Sequence, residues 1–109
     1  MVCVIVMHEK QYLILLDIDA RKRHYHVTDN GKIIKFVVQL EVKTKGFWKV
    51  VLRYDTFHGY AHKDCYDIQG NCKKINLSIA FEDSMTIADE DIDENWEFYR
   101  EKFLKGDIL

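Results

Sequence analysis

Apolar and polar positions divide the chain into an alternating body and a helical tail. The clearest alternation is KIIKFVVQLEVK, residues 32–43, which sets Ile34, Phe36, Val38, Leu40 and Val42 on one face of a strand. Asp29-Asn30-Gly31, between this run and RHYHVT, is a hairpin signal. Thr44-Lys45-Gly46 then turns the chain into FWKVVLRY, where Trp48, Val50, Leu52 and Tyr54 form the expected inward set and Lys49 and Arg53 fall on the other face. HKDCYDI and KKINLSI flank Gln69-Gly70-Asn71 as a shorter, more polar hairpin suited to a sheet edge. Near the start, VCVIVM (2–7) and YLILLDI (12–18) predict two buried strands around a turn at His8-Glu9-Lys10-Gln11, although periodicity alone leaves a buried helix open.

From Phe81 the period changes. Met85, Ala88, Ile92, Trp96, Tyr99 and Phe103 form one helical stripe, with acidic residues early, Arg100, Lys102 and Lys105 late and Gly106 as the stop; a break near Ser84 or Asp89 is compatible with the acidic residues there. Phe98 lies off the stripe and, if exposed, marks a partner contact rather than a cofactor site. The expected fold is α+β. An antiparallel, strongly twisted sheet of five to seven strands, open or half-closed like a barrel, carries one long C-terminal helix.

At 109 residues the chain is expected to form one domain, 1–109. Its net charge of −2 calls for neither a polyanion nor a membrane, and no run approaches the ~18 apolar residues of a membrane span. The distribution of charge says more. Residues 1–80 carry 13 Lys plus Arg against 8 Asp plus Glu, whereas residues 81–109 carry 3 against 10. Two readings follow: a basic nucleic-acid surface shaded by an acidic helix, or an acidic helix face that pairs with body lysines. An odd count of three cysteines and an apolar opening without a basic leader predict a reduced, cytoplasmic protein with no structural disulfide. Cys65 and Cys72 would face each other across a hairpin and oxidise only under stress.

Candidate chemistry concentrates in RYDTFHGYAHKD, residues 53–64. As separate strand positions His58 and His62 stand about 13 Å apart, so metal chelation by Asp55, His58, His62 and Asp64 needs the loop to fold back; no metal-specific spacing appears, and neither a metal nor another cofactor is expected. The metal-free use of these residues is RNase-like. His58 and His62 act as acid and base on a ribose 2′-hydroxyl and leaving oxygen, Arg53 stabilises the phosphorane charge and Asp55 orients an imidazole. A second cluster, Arg21-Lys22-Arg23-His24-Tyr25-His26, mixes cations, imidazoles and an aromatic as RNA binding requires. The structural reading of the same residues pairs Arg53 with Asp55, satisfies the histidines with backbone carbonyls and gives Gly59 a positive φ. Asp17-x-Asp19 sets two carboxylates on one side of the chain, an arrangement that can hold magnesium or simply mark a strand entering solvent.

The RYDTFHGYAHKD run, its following Gly turn and the acidic ENWEFYREKF helix resemble small uncharacterised prokaryotic proteins, over most of the chain after about residue 24. More distantly, the Arg-Tyr-Asp strand end followed by histidines resembles the TumE-type toxins of toxin-antitoxin pairs. That resemblance carries over Arg53, Tyr54 and Asp55, and loosely His58 and His62; the helix and the Gly-Tyr-Ala between the histidines depart from the pattern. It implies an RNA-cleaving activity and an antitoxin partner. The alternative from another class is a non-catalytic interaction module, including a homodimer, in which the motif only builds a strand-turn-strand corner.

Overall fold

The structure, a computed structural model, describes residues 7–107. It contains β1 (Met7–Asp17), β2 (Ala20–Asp29), β3 (Lys32–Thr44), β4 (Phe47–Asp55), β5 (His62–Tyr66), β6 (Cys72–Asn76) and α1 (Phe81–Leu104). The strands follow one another in an open antiparallel meander, β1-β2-β3-β4-β5-β6, and α1 lies against one face of its central strands. This is the expected α+β arrangement, with β6 at a sheet edge.

Two turns show why the central hairpins form. Asn30 and Gly31, and again Lys45 and Gly46, all have positive φ, which gives two-residue connections whose twist matches that of the flanking strands. Between them Phe36, Val38, Leu40 and Val42 of β3 are buried against Ala88, Ile92 and Phe103 of α1, with Met85, Trp96 and Tyr99 half-buried around them. The helical stripe is the expected one, and α1 runs unbroken through Ser84 and Asp89. It ends as the terminal Gly implies. Gly106, at φ +86°, donates its N–H to Phe103 O, and Asp107 donates to Lys102 O, which satisfies carbonyls the helix leaves unpaired.

Three expectations change. A bulge between β3 and β4 inserts Val51 opposite the Leu40–Glu41 step. One extra residue inverts strand parity, so Val51, Leu52 and Tyr54 are buried while Trp48 and Val50 sit on the face away from the helix. Trp48 there receives the Arg21 guanidinium at 4.0 Å from its ring centre. A second bulge makes Ile33 rather than Ile34 the residue packed on the core. At the start, Met7–Asp17 is one strand, with no turn at residues 8–11, and it is an edge rather than a buried element: Leu13, Ile14 and Leu15 are exposed. The polar run is tolerated because an edge strand meets solvent on much of its surface. Residues 2–6 of the first apolar run lie outside the described residues.

The acidic helix pairs with the body. Lys22 Nζ reaches Asp93 at 2.7 Å and Asp89 at 3.2 Å, Lys63 reaches Asp91 at 3.3 Å, and Arg100 of α1 holds Asp19 at 2.6 Å and Asp17 at 3.0 Å. Asp17 and Asp19, candidates for magnesium, are thus bridged by an arginine. Cys65 and Cys72 are free thiols, the first buried and the second exposed; the cross-strand partner of Cys65 is Lys73, so the two do not face each other. No helix among the described residues is long and apolar enough to cross a membrane.

Candidate functional site

The strand periodicity of two assembles a polar surface on the face that α1 leaves open. Arg53 and Asp55 of β4 point there, as do His62, Asp64 and Tyr66 of β5, and the register opposes Asp55 to His62 and Arg53 to Asp64. The loop between the strands makes that register possible. It closes as a 3-10 turn, Phe57–Gly59, in which His58 has φ +77° and Gly59 φ +82°. Glycine adopts this conformation freely; for histidine it is uncommon. The chain therefore folds back, and the two imidazole rings are 6.3 Å apart between centres.

His62 is the centre of the buried part. It is only 1% exposed, with Nε2 2.6 Å from Asp55 Oδ1 and 3.1 Å from Phe57 O, and Nδ1 3.1 Å from Asp64 Oδ1. Each ring nitrogen faces an oxygen acceptor. A neutral imidazole carries one N–H, so one nitrogen meets an acceptor with a lone pair unless a second proton or a cation is present. Asp55 Oδ1 also accepts the Phe57 N–H at 3.0 Å, which fixes the start of the turn. Lys74 of β6 approaches Asp64 Oδ1 at 3.9 Å. Asp55, His62 and Asp64, all buried, present one ligand atom each within 4.8 Å of one another.

His58 occupies the rim. It is exposed, stacks near Tyr60 and meets the edge of Phe57 at 4.5 Å between ring centres. Arg53 Nε donates to Gln39 Oε1 at 2.8 Å, and among the described residues Arg53 has no carboxylate partner, so the expected pair with Asp55 does not form. Gln39 in turn donates to Glu41, which also receives Arg21 at 2.6 Å and Arg23 at 2.8 Å. Burial alone would raise the Glu41 carboxyl, but the hydrogen bonds from Arg23, Gln39 and Arg21 outweigh it and hold the group below its usual range. Arg53, His58 and the Asp55–His62–Asp64 set line one cavity of about 760 Å³, together with Tyr25, Lys35, Tyr66 and Lys74.

The basic cluster of β2 does not stay together. Strand alternation sends Arg21, Arg23 and Tyr25 to the open face and Lys22, His24 and His26 to the side of α1. Lys22 and His24 are 3% and 2% exposed, so they face the helix rather than a ligand in solution. His24 Nδ1 lies 3.3 Å from Asp89, its Nε2 2.7 Å from His26 Nδ1, and Tyr12 stacks on its ring. Burial, with help from His24 and Lys10, pushes the His26 imidazole below its usual value. Lys35, Gln39, Glu41, Tyr66 and Lys74 were not among the sequence candidates. Their signal is the polar alternation of KFVVQLEV and of β5 and β6, read on the face opposite the core.

The described residues thus form a six-stranded meander backed by one helix, with a polar cavity on the bare face of its central and distal strands. A family model described as a domain of unknown function, DUF7718, matches residues 7–108, and the chain belongs to that family. No curated protein and no solved structure matches it.

Proposed function

We propose that the cavity binds the phosphodiester backbone of single-stranded RNA and that His58 is its catalytic base. The observation that carries this reading is the lining: Lys35, Arg53 and Lys74 supply positive charge, Tyr25 and Tyr66 supply flat aromatic surface, and an accessible imidazole stands beside them. Cations take phosphates, and aromatic rings stack bases for about 1–3 kcal/mol each. His58 removes the proton of a ribose 2′-hydroxyl; the 2′ oxygen bonds to phosphorus, the bond to the 5′ oxygen breaks, and that oxygen takes a proton from water. A 2′,3′-cyclic phosphate results. Arg53 and Lys74 face the developing negative charge.

His62 has a different role from the acid or base expected of it. With both nitrogens engaged and its ring buried, it is a positioning residue that ties β5 to the turn bearing His58. The resemblance of Arg53-Tyr54-Asp55 and the two histidines to TumE-type toxins agrees with this reading, and an antitoxin-like protein is the partner it implies. A labelled oligoribonucleotide tests it. Binding should weaken with salt with a log–log slope of about −2 for three phosphate contacts, and His58→Ala should abolish cleavage while preserving binding and Tm. Intact RNA at every pH, with and without divalent ions, removes the cleavage step; absence of binding at low salt removes the reading.

A second reading is a homodimer joined along β1. It is favoured by the outer edge of that strand, which pairs with nothing among the described residues, with Leu15 68% exposed. Leu15→Lys should then convert a dimer to a monomer in light scattering, and a monomeric parent chain sinks the idea.

A further inference from the structure

We propose that Asp55, His62 and Asp64 hold one divalent transition-metal ion at the floor of the cavity. His62 and Asp64 are two residues apart on β5 and so share a face, and the antiparallel register sets Asp55 of β4 directly opposite His62. Two strands thereby deliver three ligands without help from a mobile loop. Their ligand atoms lie within 4.8 Å of one another. Donors about 2.1 Å from a single ion stand roughly 3 to 4 Å apart. Because Asp55 and Asp64 rest against opposite ring nitrogens of His62, the ion takes one nitrogen and the carboxylate beside the other turns about its side chain to reach it.

Burial and access both suit an ion. The three residues are 6%, 1% and 5% exposed, yet they line a cavity open to solvent, so ligands are shielded while an entry path and free coordination positions remain. Two carboxylates beside one imidazole leave the set rich in lone pairs, the chemistry that suits a cation. An imidazole ligand favours Mn²⁺, Fe²⁺, Co²⁺ or Zn²⁺ over Mg²⁺ and Ca²⁺, which prefer all-oxygen shells. Lys74, 3.9 Å from Asp64, is the competing cation. This deepens the reading of the cavity as a phosphodiester site, since the three ligands line the same cavity as Arg53, His58 and Lys74, where an ion could take a phosphate oxygen. Metal binding is measured without RNA, and RNA binding in chelator, so either claim can fail alone.

The full chain, stripped with chelator, is titrated calorimetrically with Mn²⁺ and with Zn²⁺ in the absence of RNA. One ion per chain is expected, with Asp64→Asn weakening it by about 100-fold or more, Lys74→Met tightening it and His26→Ala leaving it unchanged. Because a His62 variant can lose its fold, the unmutated protein gives the second measurement: substoichiometric Mn²⁺ should broaden the ring signals of His62 first. No binding at millimolar metal, binding indifferent to Asp64→Asn, or broadening centred on His24 and His26 or on the acidic face of α1 overturns the proposal.

Discussion

Replacing Asp91 by alanine removes the acceptor on which α1 and the sheet meet. Asp91 Oδ2 takes the Tyr54 hydroxyl at 2.5 Å, Oδ1 takes the Tyr99 hydroxyl at 2.6 Å and Asn95 Nδ2 at 2.8 Å, and Lys63 Nζ lies 3.3 Å away. A buried hydroxyl left without its partner costs about 1–3 kcal/mol. Two are stranded here in a partly buried setting, so Asp91→Ala should cost about 2–5 kcal/mol. Asp91→Asn keeps one acceptor oxygen and should cost about half as much. Urea unfolding at neutral pH measures both, with the midpoint moving and the slope unchanged. The pH dependence is a separate check. Burial raises the Asp91 carboxyl, but hydrogen bonds from Tyr54, Tyr99 and Asn95 outweigh it, and the group titrates below its usual value. Its contribution is therefore fully present above about pH 3.9, the unfolded aspartate value, and is lost as pH falls through the depressed folded one. The gap between parent and variant should be widest at neutral pH and close in acid. A cost below about 0.5 kcal/mol, or a gap that does not narrow in acid, would mean that the tyrosine hydroxyls are served by water, and would refute the reasoning.

Other consequences are simpler to measure. Ile92→Ala empties the fully buried centre of the helix–sheet core and should cost about 2–5 kcal/mol in urea unfolding. Ser84→Ala should instead stabilise the fold by about 1 kcal/mol, because its buried Oγ finds no hydrogen-bond partner among the described residues and alanine is the better helix former; a loss of stability would show that water pairs the hydroxyl. In a Cys3→Ser background, a thiol reagent should label the exposed Cys72 at once and Cys65 only on unfolding, since Cys65 is buried and burial raises its thiol above the usual value.

What was legible in the sequence was whatever a single period controls. Strand β3 keeps one parity over Phe36 to Val42, and α1 keeps one stripe from Met85 to Phe103, so the main core was readable from spacing alone. Bulges broke the reading elsewhere. Nothing in FWKVVLRY marks Val51 as the extra residue, because a bulge is a property of the pairing between β3 and β4, and it alone decides whether Trp48 or Val51 is buried. The His8–Gln11 run resembles a turn because a polar stretch between two apolar runs is a common mark of chain reversal, whereas an edge strand accepts the same polarity. The candidate site was half readable for the same reason. Asp55, His58 and His62 stood out by type, but their convergence depends on a left-handed histidine at position 58, a conformation that its residue type does not call for. Lys22 and His24 stood out equally and lie under the helix, since a cluster contiguous in sequence is divided between faces in a strand.

The central claim is that the bare face of β4 and β5 is where this protein meets its ligand. Amide and ring chemical shifts of the isotope-labelled chain, followed during titration with a short single-stranded oligoribonucleotide at low salt, test it most directly. Saturable shifts are expected at Tyr25, Lys35, Arg53, His58, Tyr66 and Lys74, with the solvent-facing side of α1 unmoved. Shifts confined to β1 or α1, or none at millimolar oligonucleotide, would contradict it.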